Sequence, residues 1–142
     1  MKILKNPMAN AFYFALTTVI CASVLIASSK LIANSPFSNS NTAWSSFIYK
    51  GNLKYVGCAM IAIAIVIDLL SVLRQKSFDE YQTSILEKSL LINGIFTAIL
   101  LPISAFSFLC FPQYAVELIF SLVVLQWLIT MITEFIYLIK NY

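Results

Sequence analysis

Two carboxylates stand where the chain is otherwise apolar: Asp68 interrupts one long hydrophobic stretch and Glu134 another, each six residues before a base, Arg74 and Lys140. On insertion scales an ionised acid at the centre of a membrane helix costs roughly 2.5–3.5 kcal/mol. Each acid therefore needs a proton, a hydrogen-bonded partner, a reach to water or a hydrated cavity. Asn93 lies five residues past Lys88 on a stretch running the opposite way, which at about 1.5 Å per residue brings it to nearly the level of the two acids. Gln126, Thr130, Thr133 and Glu134 share about a quarter of a helix circumference at 3.6 residues per turn. With Asp68, Ser71, Asn93 and Thr97 they form a candidate buried polar cluster. Its chemistry would be either a narrow path for cations or protons or interhelical glue contributing on the order of 0.6 kcal/mol per bond.

The elements that must carry these groups are read from where charge is missing. Charge-free runs cover 6–29, 55–67, 89–116 and 118–133, and mean hydropathy is +0.89, a pattern that predicts four membrane-spanning helices. With 142 residues, four such spans leave no room for a sizeable soluble domain. The expected fold is an all-α integral membrane four-helix bundle forming one domain, with spans at about 10–29, 53–73, 88–110 and 115–138. Charged residues make up 11% and hydrophobic ones 61%, far from the roughly 25% and 45–50% of soluble domains. The net charge of +3 is thus a topology signal and does not point to nucleic acid. Lys2, Lys5, Arg74, Lys76, Lys88 and Lys140 fall on the side of the termini, against Lys30, Lys50 and Lys54 on the other. The positive-inside rule then puts both termini in the cytoplasm, and a bacterial cytoplasmic membrane is the expected location. The first run is longer than a signal-peptide core and reads as an uncleaved helix.

Within these elements, Ala11, Ala15, Thr18 and Ala22 share a face of the first helix, suited to close packing within the chain or between copies. The Ser- and Asn-rich segment 34–52 with Pro36 reads as an external loop. In it Trp44, Phe47 and Ile48 repeat at helical spacing after the potential N-caps Asn41 and Thr42 and before Gly51, predicting a short amphipathic helix on the outer leaflet. The second span places Gly57, Ala64, Asp68 and Ser71 in one sector, expected to face protein, and Ile63, Val66, Leu70 and Leu73 in the opposite one, expected to face lipid. Segment 74–88 holds two overlapping helix-start signatures, Ser77-x-x-Glu80 and Ser84-x-x-Glu87. A helix begun there would extend the third span, with Arg74, Lys76, Asp79 and Glu80 as candidate partner contacts. Gly94 and Pro102 interrupt the third span, and Pro112 marks a tight turn into the fourth, whose first turn carries Glu117 as a complement to the helix dipole.

Other chemistries are poorly served. Cys21, Cys58 and Cys110 are isolated and histidine is absent, which argues against His-based zinc or haem sites. The cysteines read as small packing residues, with a Cys58–Cys110 disulfide as the alternative. No phosphate loop, nucleophile elbow or metal-protease motif occurs, so neither catalysis, a metal nor a cofactor is expected.

The layout resembles the four-span membrane component of phage-exclusion Rex systems: a Ser-rich external loop, a charged inner loop, a tight second external turn and a short basic tail. The stretches most similar are MIAIAIVIDLLSVLR at 60–74 and the terminal FIYLIKNY. The resemblance implies a pore that depolarises the membrane in defence or stress. Two function classes follow for test. The leading one is a small oligomer forming a regulated ion or proton pathway, its pore built between protomers; the alternative is a non-catalytic accessory or scaffold subunit of a larger membrane complex. The expected partners are the lipid bilayer and either further copies of the chain or that larger complex.

Overall fold

A computed structural model describes residues 7–33, 42–73 and 80–140. Helix α1 (Pro7–Ala33) opens on a proline, whose missing N–H is one that a first helical turn leaves unpaired anyway. Thr42 caps the short helix α2 (Ala43–Tyr49): its hydroxyl accepts the Ser45 amide at 3.1 Å. Gly51, at φ 74°, reverses the chain after α2 in the left-handed region that favours glycine. Two residues later α3 (Leu53–Leu73) begins. Helix α4 (Glu80–Cys110) runs unbroken through Pro102, and a single 3-10 turn at Pro112–Tyr114 joins it to α5 (Ala115–Lys140).

Four of these helices are long and apolar enough to cross a membrane, over Ala11–Ile32, Leu53–Ser71, Leu90–Cys110 and Pro112–Ile136. The chain therefore has the make-up of a multi-pass helical membrane protein. Helix α4 starts ahead of its apolar span. The Ser84–Glu87 signature falls inside it and does not mark its start, while Ser77 of the other signature lies outside the described residues.

Packing is uneven. Helix α1 is the central element, packing chiefly on α3 and also on α5; α3 and α5 touch each other as well, and α4 packs on α5. On α1, Phe14, Thr18, Ala22, Leu25 and Ser29 are buried at helical spacing; of the small-residue face, Thr18 and Ala22 thus pack within the chain, while Ala11 and Ala15 are half-buried. The tightest point is at Gly57, where a Cβ would lie 2.8 Å from Ile26 Cγ1 and 3.0 Å from the Ala22 carbonyl oxygen. On α3, Ala64, Ile67 and Ser71 are buried, whereas Val66 and Leu73 are exposed, the division expected from the two sectors. Few residues of the α4 span are fully buried, 6% against 22–28% in the other three; α4 is the edge of the bundle, with one stripe through Asn93, Thr97, Leu100 and Ser104 buried or half-buried and its other faces open.

Of the repeat Trp44, Phe47 and Ile48, helix α2 turns Ile48 into the protein and leaves Trp44 and Phe47 half-buried. Ile48 is fully buried in the main core with Leu25, Leu53 and Phe120, and Trp44 stacks on Phe47 with ring centroids 5.7 Å apart.

Candidate functional site

The polar side chains of α5 meet those of α4 in a closed network. Gln126 Nε2 donates to Thr97 Oγ1 at 2.8 Å and to Asn93 Oδ1 at 3.3 Å. Asn93 Nδ2 donates to Thr130 Oγ1 at 3.3 Å, and the Thr130 hydroxyl donates to the Gln126 carbonyl at 2.9 Å. Thr97 donates to the Asn93 carbonyl. Asn93 and Thr130 are buried. Amide and hydroxyl groups carry no titratable proton at neutral pH, so this network binds two helices together without holding charge.

The two acids lie elsewhere. Glu134 is buried on α5, one helical turn beyond Thr130. Asp68 is half-buried on α3, and its Oδ1 is enclosed without a hydrogen-bond partner. No hydrogen bond joins Asp68 to Asn93, because α4, which carries Asn93, packs on α5, while α3 packs chiefly on α1. Of the five candidate pathway residues the fold thus unites Asn93, Gln126 and Thr130, sets Glu134 one turn away and holds Asp68 apart. Arg74, Lys76 and Asp79 lie outside the described residues, as does Asn41; Glu80 is the first residue of α4. Cys21, Cys58 and Cys110 are unpaired, the last two exposed. Among the described residues no group of three or more His, Cys, Asp or Glu side chains gathers to hold a metal ion.

A second polar constellation was not legible as such. Glu117, read from sequence only as a dipole complement, is buried, and its Oε1 accepts the Ser45 hydroxyl at 2.8 Å while Oε2 is enclosed without a hydrogen bond. Trp44 Nε1 donates to Ser121 at 3.0 Å, and Ser121 in turn donates to the Glu117 carbonyl. These bonds pin α2 on the first turns of α5. The pKa of Tyr49, at the end of α2, is raised, first by burial and then by the negative charge of Glu117. Deeper in the protein, Trp127 Nε1 donates to Thr18 at 2.9 Å and ties α5 to α1. The available sequence signal was an acid in a first helical turn facing a Ser-rich loop, which does not say which serine it meets.

The four long apolar helices give the chain the make-up of a multi-pass helical membrane protein. No family model, curated protein or solved structure matches the chain.

Proposed function

We propose that this chain is a non-catalytic helical subunit that packs into a larger membrane complex, with both termini on the cytoplasmic side of a bacterial membrane. The observation that carries this reading is the direction of the α5 polar stripe: Gln126 and Thr130 engage Asn93 and Thr97 of α4 within the chain. A pore between protomers would turn that stripe toward a symmetry axis; the hydrogen bonds to α4 within the chain support reading it as glue. Helix α4, held by this glue at the edge, offers a long face including Ile95, Ile99, Ile103 and Phe106 to a neighbour. Purification of the tagged chain in mild detergent tests the reading. A stoichiometric larger membrane partner and silent liposomes are expected; a conducting homo-oligomer without that partner would overturn it.

A second reading, an ion or proton pathway with a depolarising role in defence or stress, has its own supporting observation in the enclosed, unpartnered Oδ1 of Asp68 and the buried Glu134. Intramembrane acids of this kind mark proton and ion routes in other helical membrane proteins. Conductance that falls in Asp68→Asn and Glu134→Gln would favour it, and conductance indifferent to both would remove these residues from any pathway.

A further inference from the structure

Gln126 uses both protons of its carboxamide within the chain, donating to Thr97 Oγ1 at 2.8 Å and to Asn93 Oδ1 at 3.3 Å. The Thr97 hydroxyl gives its own proton to the Asn93 carbonyl and can therefore only accept from Gln126, which fixes which end of the carboxamide is nitrogen. The oxygen, Oε1, accepts no hydrogen bond from any described residue, and it is not enclosed as Asp68 Oδ1 and Glu117 Oε2 are. It is an open acceptor. We propose that it receives a hydrogen bond from a membrane helix of another chain, which lies along the α4–α5 seam and carries an Asn, Gln, Ser or Thr side chain at mid-depth. The inference rests on the reading of this chain as a subunit of a larger complex.

Depth makes an open oxygen unfavourable. The last apolar span runs over Pro112–Ile136, and Gln126 stands ten residues before its end, about 15 Å at 1.5 Å per residue. That is half of a hydrocarbon core about 30 Å thick. Water is scarce at this level, so a polar group left unpaired there is disfavoured. Headgroups lie too far away to supply a donor, and acyl chains have none.

The side on which the oxygen opens follows from its neighbours. At 100° per residue Leu125 and Trp127 flank Gln126 on opposite sides. Leu125 is 45% exposed and Trp127 4%, so Gln126 is accessible from the Leu125 side. The short turn at Pro112–Tyr114 makes α4 and α5 antiparallel, and in such a pair the adjoining flank of α4 turns away from Asn93 in the same rotational sense. That flank holds Phe96, Ile99 and Ile103, all exposed. A helix seated there meets an apolar wall with one acceptor in its middle.

The direction of the bond selects the neighbour. A second copy related by a two-fold axis along this seam would set Gln126 against Gln126, acceptor against acceptor, because both amide protons are already given to α4. A helix apolar throughout would leave Oε1 as it is. The occupant that satisfies it is a different chain with a donor at mid-depth.

The test places the full chain in phosphatidylcholine vesicles with a synthetic transmembrane helix of leucine and alanine, lysine at both ends and either Asn or Leu at its midpoint, and reads association by energy transfer between dyes. Wild type is expected to bind the Asn peptide about threefold tighter than the Leu peptide, the factor that corresponds to roughly 0.6 kcal/mol. Gln126→Leu abolishes the difference. Thr97→Val loosens the same α4–α5 contact but keeps the carboxamide, and it retains the difference, which separates loss of the acceptor from loss of packing. A benzophenone beside the Asn of the peptide, used with the wild type, gives a readout independent of any variant's folding, and its label belongs on Leu125 and Phe96. Equal affinity of wild type for the two peptides, a preference that survives Gln126→Leu, or label spread over α1 and α3 would each overturn the proposal. No native partner enters this assay, so those outcomes leave the subunit reading standing; that reading fails separately if the purified chain is a conducting homo-oligomer.

Discussion

The Ser45 hydroxyl donates to Glu117 Oε1 at 2.8 Å, joining residues 72 positions apart. Through this bond a seven-residue helix that could not hold its shape alone becomes part of the core. The other carboxylate oxygen of Glu117 is already enclosed without a partner. Ser45→Ala would leave both oxygens unsatisfied, and the expected loss is about 1–3 kcal/mol, read as a lower thermal midpoint in detergent. Glu117→Gln keeps an oxygen to accept from Ser45 and should cost less. A double-mutant cycle with a coupling near zero would show that the bond does not hold α2 in place.

Tyr49 reports the charge of Glu117. Its raised pKa means the folded chain holds the phenolic proton more tightly than the unfolded chain does. The associated stability is present in full below the ordinary tyrosine pKa and is lost as pH rises through the raised value. Alkaline titration followed by tyrosinate absorbance should show a late component that disappears in Tyr49→Phe and moves to lower pH in Glu117→Gln. Its failure to move would mean that burial alone raises the Tyr49 pKa.

The α4 contact depends on Gln126. Gln126→Leu removes two donated bonds, with an expected cost of about 1 kcal/mol at roughly 0.6 kcal/mol per bond. Because α4 is otherwise little buried, the loss should appear as faster proteolysis at the Pro112–Tyr114 turn before the rest of the chain unfolds. Uniform destabilisation of all helices would contradict a local role.

Gly57 and Gly94 should respond oppositely to the same change. Gly57→Ala drives a methyl against Ile26 and the Ala22 carbonyl and is expected to destabilise by about 1–3 kcal/mol. At Gly94 a Cβ meets nothing within 4 Å, and Gly94→Ala should gain up to about 1 kcal/mol from helix propensity. Equal thermal midpoints for the two variants would remove the special status of the α1–α3 seam.

Local periodicity accounts for much of the secondary structure: a cap at Asn41 or Thr42 for α2, filled by Thr42, α3 over 53–73 and the turn at Pro112 all follow from hydrogen-bonding capacity and backbone restriction along a few residues. The sorting of Val66 and Leu73 outward and Ala64 and Ser71 inward was legible too, because a helix fixes which residues share a side. Which helices become neighbours was not. Asp68 and Asn93 can be assigned similar depth from spacing, yet depth says nothing of azimuth, and the hydrogen bonds of Asn93 go to α5.

By itself, then, the sequence determined an all-helical chain with four apolar segments fit for a membrane, since transfer of charge and of unpaired backbone into hydrocarbon is costly whatever the helices touch. Only the tertiary structure decided that the α5 stripe turns into α4, that Ser45 meets Glu117, and that Asp68 stands apart. Those outcomes depend on helix rotation and order, which arise from side-chain packing between segments far apart in the chain, such as Gly57 against Ala22 and Trp127 against Thr18.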